Sequence, residues 1–212
     1  MPPCPMPLTE PQSAALAKLA CGVTGGEGLA LLCGPPGVGK TTVLERLAAD
    51  LRALGRLVAS ADVAGLLEPS ASPADIVIAD DAHLADAADL GRLLARCRTA
   101  WSGAVLVLAG EGRLLTLLAR DPRLSQATRI RAILLPGSLA DTAALLERRA
   151  VAGGMRLDER AVAILHEIAG GTPAGVMRLA ELADVVASSR PDGQATAADI
   201  EAIHRRLAPQ AA

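Results

Sequence analysis

The stretch Gly34-Pro35-Pro36-Gly37-Val38-Gly39-Lys40-Thr41-Thr42 constrains the fold of this chain more than any other. It fits G-x-x-x-x-G-K-[ST]. Before it, the apolar run Leu29–Cys33 reads as a buried strand, and after it Val43-Leu44-Glu45-Arg46-Leu47 opens a helix. Glycines let the backbone turn tightly, so that its N–H groups and the helix N-terminus face one point and can cradle phosphate oxygens. The motif makes Gly34, Pro35, Pro36, Gly37, Val38, Gly39, Lys40, Thr41 and Thr42 the expected nucleotide-binding residues. Lys40 is placed to reach the β- and γ-phosphates, and the Thr41 hydroxyl to bind Mg²⁺. A Gly/Pro-rich turn before an ordinary helix is the bland alternative, and the flanks argue against it.

With 212 residues the chain has room for one α/β domain and a small accessory domain. A formal net charge of −2 argues against a surface built around bulk phosphate-backbone binding. Arginine clusters do occur, as at Arg129/Arg131 and Arg148/Arg149, and solvated helix faces are the simpler reading of most of them. Lysine is confined to Lys18 and Lys40, so the loop keeps a residue type that the chain otherwise replaces with arginine. Phe and Tyr are absent and Trp101 is the lone aromatic, which argues against a base-stacking platform and leaves the core to Leu, Val, Ile and Ala. Cys4, Cys21, Cys33 and Cys97 have no metal-ligand or disulfide spacing. Apolar runs stop short of a spanning length, and Met1–Pro7 lacks the parts of a signal peptide and reads as a flexible tail. The expected location is cytoplasmic.

Strand and helix signals alternate up to about Leu135. Helices are expected at Glu10–Cys21, residues 41–54, Leu84–Arg98 and Arg113–Arg120, and strands at residues 29–33, Arg56–Ala61, Ile76–Ala79, Ala104–Ala109 and Ala132–Leu135. Such alternation implies a parallel sheet covered on both faces. After Pro136-Gly137-Ser138 only helices are expected: Ser138 or Asp141 caps one running to Gly153, and Asp158 caps a second. Pro173–Ser188 is a third and Thr196–Leu207 a fourth. The organisation expected is a tail at residues 1–7, a nucleotide-binding domain at 8–137 and a helical lid at 138–208.

Ile76–Ala79 ends in Asp80-Asp81. A parallel sheet presents ligand groups at the carboxyl ends of its strands. An acidic pair there, on a strand expected beside the phosphate loop, faces Mg²⁺ and the γ-phosphate, with Asp80 holding the metal and Asp81 orienting the attacking water. A strand followed by a helix cap is the plainer reading of the same residues.

At this point the chain resembles the AAA+ ATPases, and among them the ATPase domain of the general-secretion-pathway A (ExeA-type) proteins. The resemblance runs from about residue 8 to 207. It takes in the opening helix Thr9–Leu16, the loop GPPGVGKTT, IVIADDAHL, AVLVLAGEGRL, TRIRAILLPGSLADTAALLERRAVAGG and GGTPAGVMRLAEL. It implies a P-loop NTPase fold of the AAA+ kind: a five-stranded parallel sheet with a C-terminal all-helical lid. It further implies ATP and Mg²⁺ as ligands, activity as a homo-oligomer or with an AAA+ partner, and a protein partner in a secretion or envelope assembly. Arg129 aligns with an arginine that precedes strand five in the family and reaches a neighbour's site as a finger; a surface arginine is its simpler reading.

Several positions depart from the family's pattern. Asp81 stands where a glutamate is usual, one methylene shorter, and water placement is sensitive to such a shift, by on the order of 100-fold in rate. Glu111, after strand four, stands where a polar γ-phosphate sensor is usual, and can either repel phosphate or reach the water that Asp81 cannot. Ala174 replaces an arginine of the lid, and Arg178, one turn on, pairs most simply with Glu181. The link Asp62–Asp75 is short for a family that places a fuller helix there. His83 reads as a turn histidine or as a coupler to the next helix. Three functions follow: an ATP-hydrolysing AAA+ motor or switch, a hydrolysis-poor nucleotide-dependent scaffold, or a DNA-transposition-type ATPase. The net charge counts against the third.

Overall fold

The computed structural model describes residues 8–26, 28–101, 103–189 and 195–207. The expected tail at residues 1–7, and residues 190–194 and 208 of the expected lid, lie outside them. Two compact units divide the chain. One runs to Leu135 apart from Gly37–Gly39, and the other takes Gly37–Gly39 together with Pro136 onward.

In the first unit five strands, β1 (Leu29–Cys33), β2 (Val58–Ala61), β3 (Ile76–Ala79), β4 (Val105–Gly110) and β5 (Thr128–Ile133), form one parallel sheet in the order β2-β3-β4-β1-β5. β1, β3 and β4 are buried on both faces, which is why they read as continuous apolar runs. Helices α1 (Glu10–Thr24) and α2 (Lys40–Ala53) touch the strands on one side. On the other, Leu31, Val77 and Leu106 share a core with α3 (Val63–Leu67), α4 (Ala87–Thr99), α5 (Gly112–Arg120) and α6 (Pro122–Ala127). The Arg96 guanidinium lies 4.7 Å from the centroid of the Trp101 ring and donates to the carbonyls of Leu67 (2.9 Å), Glu68 (2.8 Å) and Ala71 (3.3 Å), tying the segment after α3 to α4.

Three sequence expectations for this unit need correction. β3 does not lie beside β1, because β4 pairs with both. The fifth strand starts at Thr128 instead of Ala132. It is an edge strand whose residues alternate between half-buried and exposed at first, so no apolar run announces it. The helix expected at Leu84–Arg98 is a 3-10 turn, Ala82–Leu84, followed by α4, because the Asp86 carboxylate accepts from Asp89 N–H (2.7 Å) and starts a new helix. The short link Asp62–Asp75 agrees with its reading and holds only the five-residue α3, capped by Asp62 on Gly65 N–H (2.8 Å).

The second unit is helical: α7 (Leu139–Val151), α8 (Glu159–Ala169), α9 (Pro173–Ser188) and α10 (Ala197–Leu207). Ser138 and Asp141 close a capping box on α7, and Asp158 caps α8 through Ala161 N–H (2.7 Å). Leu146, Leu165, Val176 and Ile200 meet in its core. Asp184 on α9 accepts from both terminal nitrogens of Arg149 on α7 (3.0 and 2.5 Å) and from Met155 N–H (3.3 Å). The pair expected between Arg178 and Glu181 is not formed among the described residues; both side chains are exposed, and Glu181 instead adds to the negative field on Arg149.

Candidate functional site

The loop of the motif leaves β1 at its carboxyl end. Gly34 N–H donates to the Gly110 carbonyl (3.2 Å), which fastens the loop's first residue to the end of β4. Gly37 and Gly39 take φ of 76° and 92°, a region that residues with a Cβ avoid, so glycine is required at both. Lys40 opens α2 and is buried. Its Nζ donates to the carbonyls of Gly34 (3.1 Å) and Pro35 (3.0 Å), so the cation is held over its own loop. Thr41 Oγ1 donates to Asp80 Oδ2 (2.6 Å), and the other Asp80 oxygen accepts from Asp81 N–H (2.9 Å). The loop and the acidic strand end thus meet across β4.

Asp81 is the one non-glycine residue with positive φ among the described residues, at φ 48° and ψ 29°. Aspartate tolerates this left-handed conformation better than most residues. It turns the chain into the Ala82–Leu84 segment, whose Leu84 N–H returns to the Asp81 carbonyl (2.9 Å). His83 is nearly buried in this segment. Its Nδ1 lies 3.9 Å from Asp81 Oδ1 and its Nε2 3.8 Å from Glu111 Oε1. The Arg113 guanidinium donates to the His83 carbonyl, a contact for which the sequence carries no motif. Burial pushes the Cys33 thiol up, while the Lys40 charge opposes this and the Glu111 charge adds to it.

Arg129 falls elsewhere. It lies within β5 and not ahead of it, at the amino end of the strand, where Thr128 pairs with Leu29. Its side chain crosses Gly28, whose Cβ would stand 3.0 Å from Arg129 Cδ. The loop leaves β1 at the opposite end, about 15 Å of strand away. Ala174 is exposed in the first turn of α9. No group of three or more His, Cys, Asp or Glu side chains assembles a metal cage among the described residues, and no described helix is long and apolar enough to cross a membrane.

No protein-family model and no curated protein matches the chain. Solved structures do. The Thermotoga maritima RuvB Holliday junction branch migration motor superposes with a TM-score of 0.66 at 19% identity, over 92% of this chain and 66% of that one. The Aeropyrum pernix ORC2 protein, in ADPNP-ADP complexes, gives 0.69 at 16% identity over 100% of this chain and 72% of that one. Domain III of the T. maritima replication initiation protein DnaA gives 0.68 at 14% identity over 94% and 93%. The chain has the fold of these AAA+ P-loop NTPases, an all-parallel five-stranded sheet with flanking helices. It spans about two thirds of the RuvB structure.

Proposed function

We propose that the chain is an ATP-binding AAA+ ATPase, with a weakened catalytic site, that couples ATP binding and slow hydrolysis to assembly with its own copies or an AAA+ partner. The observation that carries this reading is the 2.6 Å hydrogen bond between Thr41 and Asp80, which brings the phosphate loop and the acidic strand end together. A hydroxyl and a carboxylate are the hard oxygen donors that suit Mg²⁺, a cation that takes one or two carboxylates and completes its shell with water and substrate phosphates. Thr41 and Asp80 would hold it; when bound it neutralises charge on the β- and γ-phosphates. The backbone N–H groups of Gly34–Thr42 grip the phosphates. Lys40 exchanges the carbonyls of Gly34 and Pro35 for phosphate oxygens. Asp81 orients the attacking water. Arg129, remote from its own loop, serves the site of a neighbouring copy as a finger.

The test is nucleotide binding beside steady-state hydrolysis. Wild type binds Mg²⁺-ATP, and Lys40→Ala loses binding while keeping its melting temperature. A wild type that binds no nucleotide overturns the reading. Size-exclusion chromatography with and without ATP measures assembly, and Arg129→Ala should lower turnover in the assembled state without lowering nucleotide affinity. A role in a secretion or envelope assembly rests on the sequence resemblance alone. A DNA-associated role is the second reading, favoured by structural neighbours named for Holliday junction migration and replication initiation. Retention on DNA that weakens steeply with salt would support it over the first.

A further inference from the structure

The two carboxylates at the strand ends are not independent. His83, 13% exposed, lies between them, and its buried Nδ1 has no hydrogen-bond partner among the described residues. The separations of 3.9 Å to Asp81 and 3.8 Å to Glu111 exceed hydrogen-bond length by about 1 Å, and contacts of this kind often tighten only with substrate in place. The backbone around them is closely fixed. A Cβ on Gly110 would stand 3.0 Å from His83 N and 3.1 Å from His83 Cβ, so the end of β4 and the Ala82–Leu84 turn pack with no room between them. The Arg113 guanidinium holds the His83 carbonyl, and Leu114 N–H holds that of Glu111 (2.8 Å). Gly34 N–H on the Gly110 carbonyl ties Glu111 to the start of the phosphate loop. The Cys33 thiol, directly before that loop, feels both the Lys40 and the Glu111 charge, which puts the two side chains in one neighbourhood.

We propose that Glu111 is the carboxylate that takes the proton of the attacking water, and that His83 is a positioning residue holding Glu111 and Asp81 in register. The proposal rests on the ATPase reading above. Asp81 is one methylene short and 63% exposed, whereas Glu111 has the full length and is 39% exposed. In the step, the water oxygen bonds to the γ-phosphorus as the bond from that phosphorus to the β,γ-bridging oxygen breaks. The bridging oxygen keeps the electron pair and leaves as ADP. The water proton passes to the Glu111 carboxylate and from there to solvent.

The experiment measures Mg²⁺-ATP affinity with a fluorescent analogue, and kcat and KM for hydrolysis, on wild type, Glu111→Gln, Glu111→Asp, His83→Asn and Lys40→Ala, with thermal melts to verify folding. Glu111→Gln is expected to lower kcat at least about tenfold with affinity within about twofold of wild type. Glu111→Asp should recover part of the loss, and His83→Asn should lower kcat severalfold at unchanged KM. Glu111→Gln that binds ATP more tightly and turns over as fast as wild type would mark a repelling carboxylate and overturn the proposal. So would wild type that binds ATP, loses it in Lys40→Ala and hydrolyses none; in that case the binding reading stands without this one.

Discussion

Thr41 Oγ1 donates to Asp80 Oδ2 over 2.6 Å, although 39 positions separate them and β4 lies between the strands that lead to them. The hydrogen bond fixes the orientation of each side chain by the other. Thr41→Ala and Asp80→Asn are each expected to weaken Mg²⁺-ATP binding about tenfold, or about 1.4 kcal/mol. The double variant should lose less than the sum, because one interaction is removed twice. Titration with EDTA in place of Mg²⁺ checks the assignment: the gap between wild type and either variant should close.

Asp81 carries the backbone in a left-handed conformation that glycine adopts without cost. Asp81→Gly should therefore be more stable than Asp81→Ala by about 1 kcal/mol in chemical denaturation. Asp81→Glu should turn over faster than wild type, since its carboxylate regains a methylene, and should melt somewhat lower. Robust wild-type hydrolysis that slows in Asp81→Glu would contradict the weakened-site reading.

The Arg149 hydrogen bonds hold the Asp184 carboxyl below the ordinary carboxylate range, with Met155 N–H adding to them and burial opposing. A group whose folded pKa is depressed stabilises fully above its unfolded value, about 4, and loses that contribution as pH falls through the folded value. Asp184→Asn is expected to cost about 1–2 kcal/mol at pH 7, discounted for partial exposure. The difference from wild type should shrink below about pH 4. Melts followed by circular dichroism between pH 2 and 7 give the comparison.

Gly110→Ala forces a Cβ to within 3.0 Å of the His83 backbone nitrogen. Backbone on one side and Leu114 on the other leave it no easy exit. The substitution should cost about 1–3 kcal/mol and lower kcat more than nucleotide affinity. Urea denaturation and steady-state kinetics on the same preparation measure both.

The parts legible in the sequence are those where one residue type has one physical use. Leu29–Cys33 and Ile76–Ala79 are apolar at every position because both faces are covered, and their bounds are readable to the residue. The loop declares itself through glycines that take positive φ and through Lys40 in a nearly lysine-free chain. Strand order is not written in any one strand, so neither the passage of β4 between β1 and β3 nor the approach of His83 to Glu111 at the adjoining ends of β3 and β4 is legible. β5 escapes a reading from sequence because its exposed arginines look like a turn. Arg113 carries no signal at all, since its partner is a backbone carbonyl 30 positions away.

Trp101, clamped under Arg96 and the only aromatic residue of the chain, belongs to the sheet-bearing unit. Intrinsic fluorescence therefore sees that unit and is blind to α7–α10 of the other. Circular dichroism weighs both. A denaturation curve recorded by emission and one recorded at 222 nm amount to two separate thermometers, and any gap between their midpoints reports whether the helical unit melts on its own.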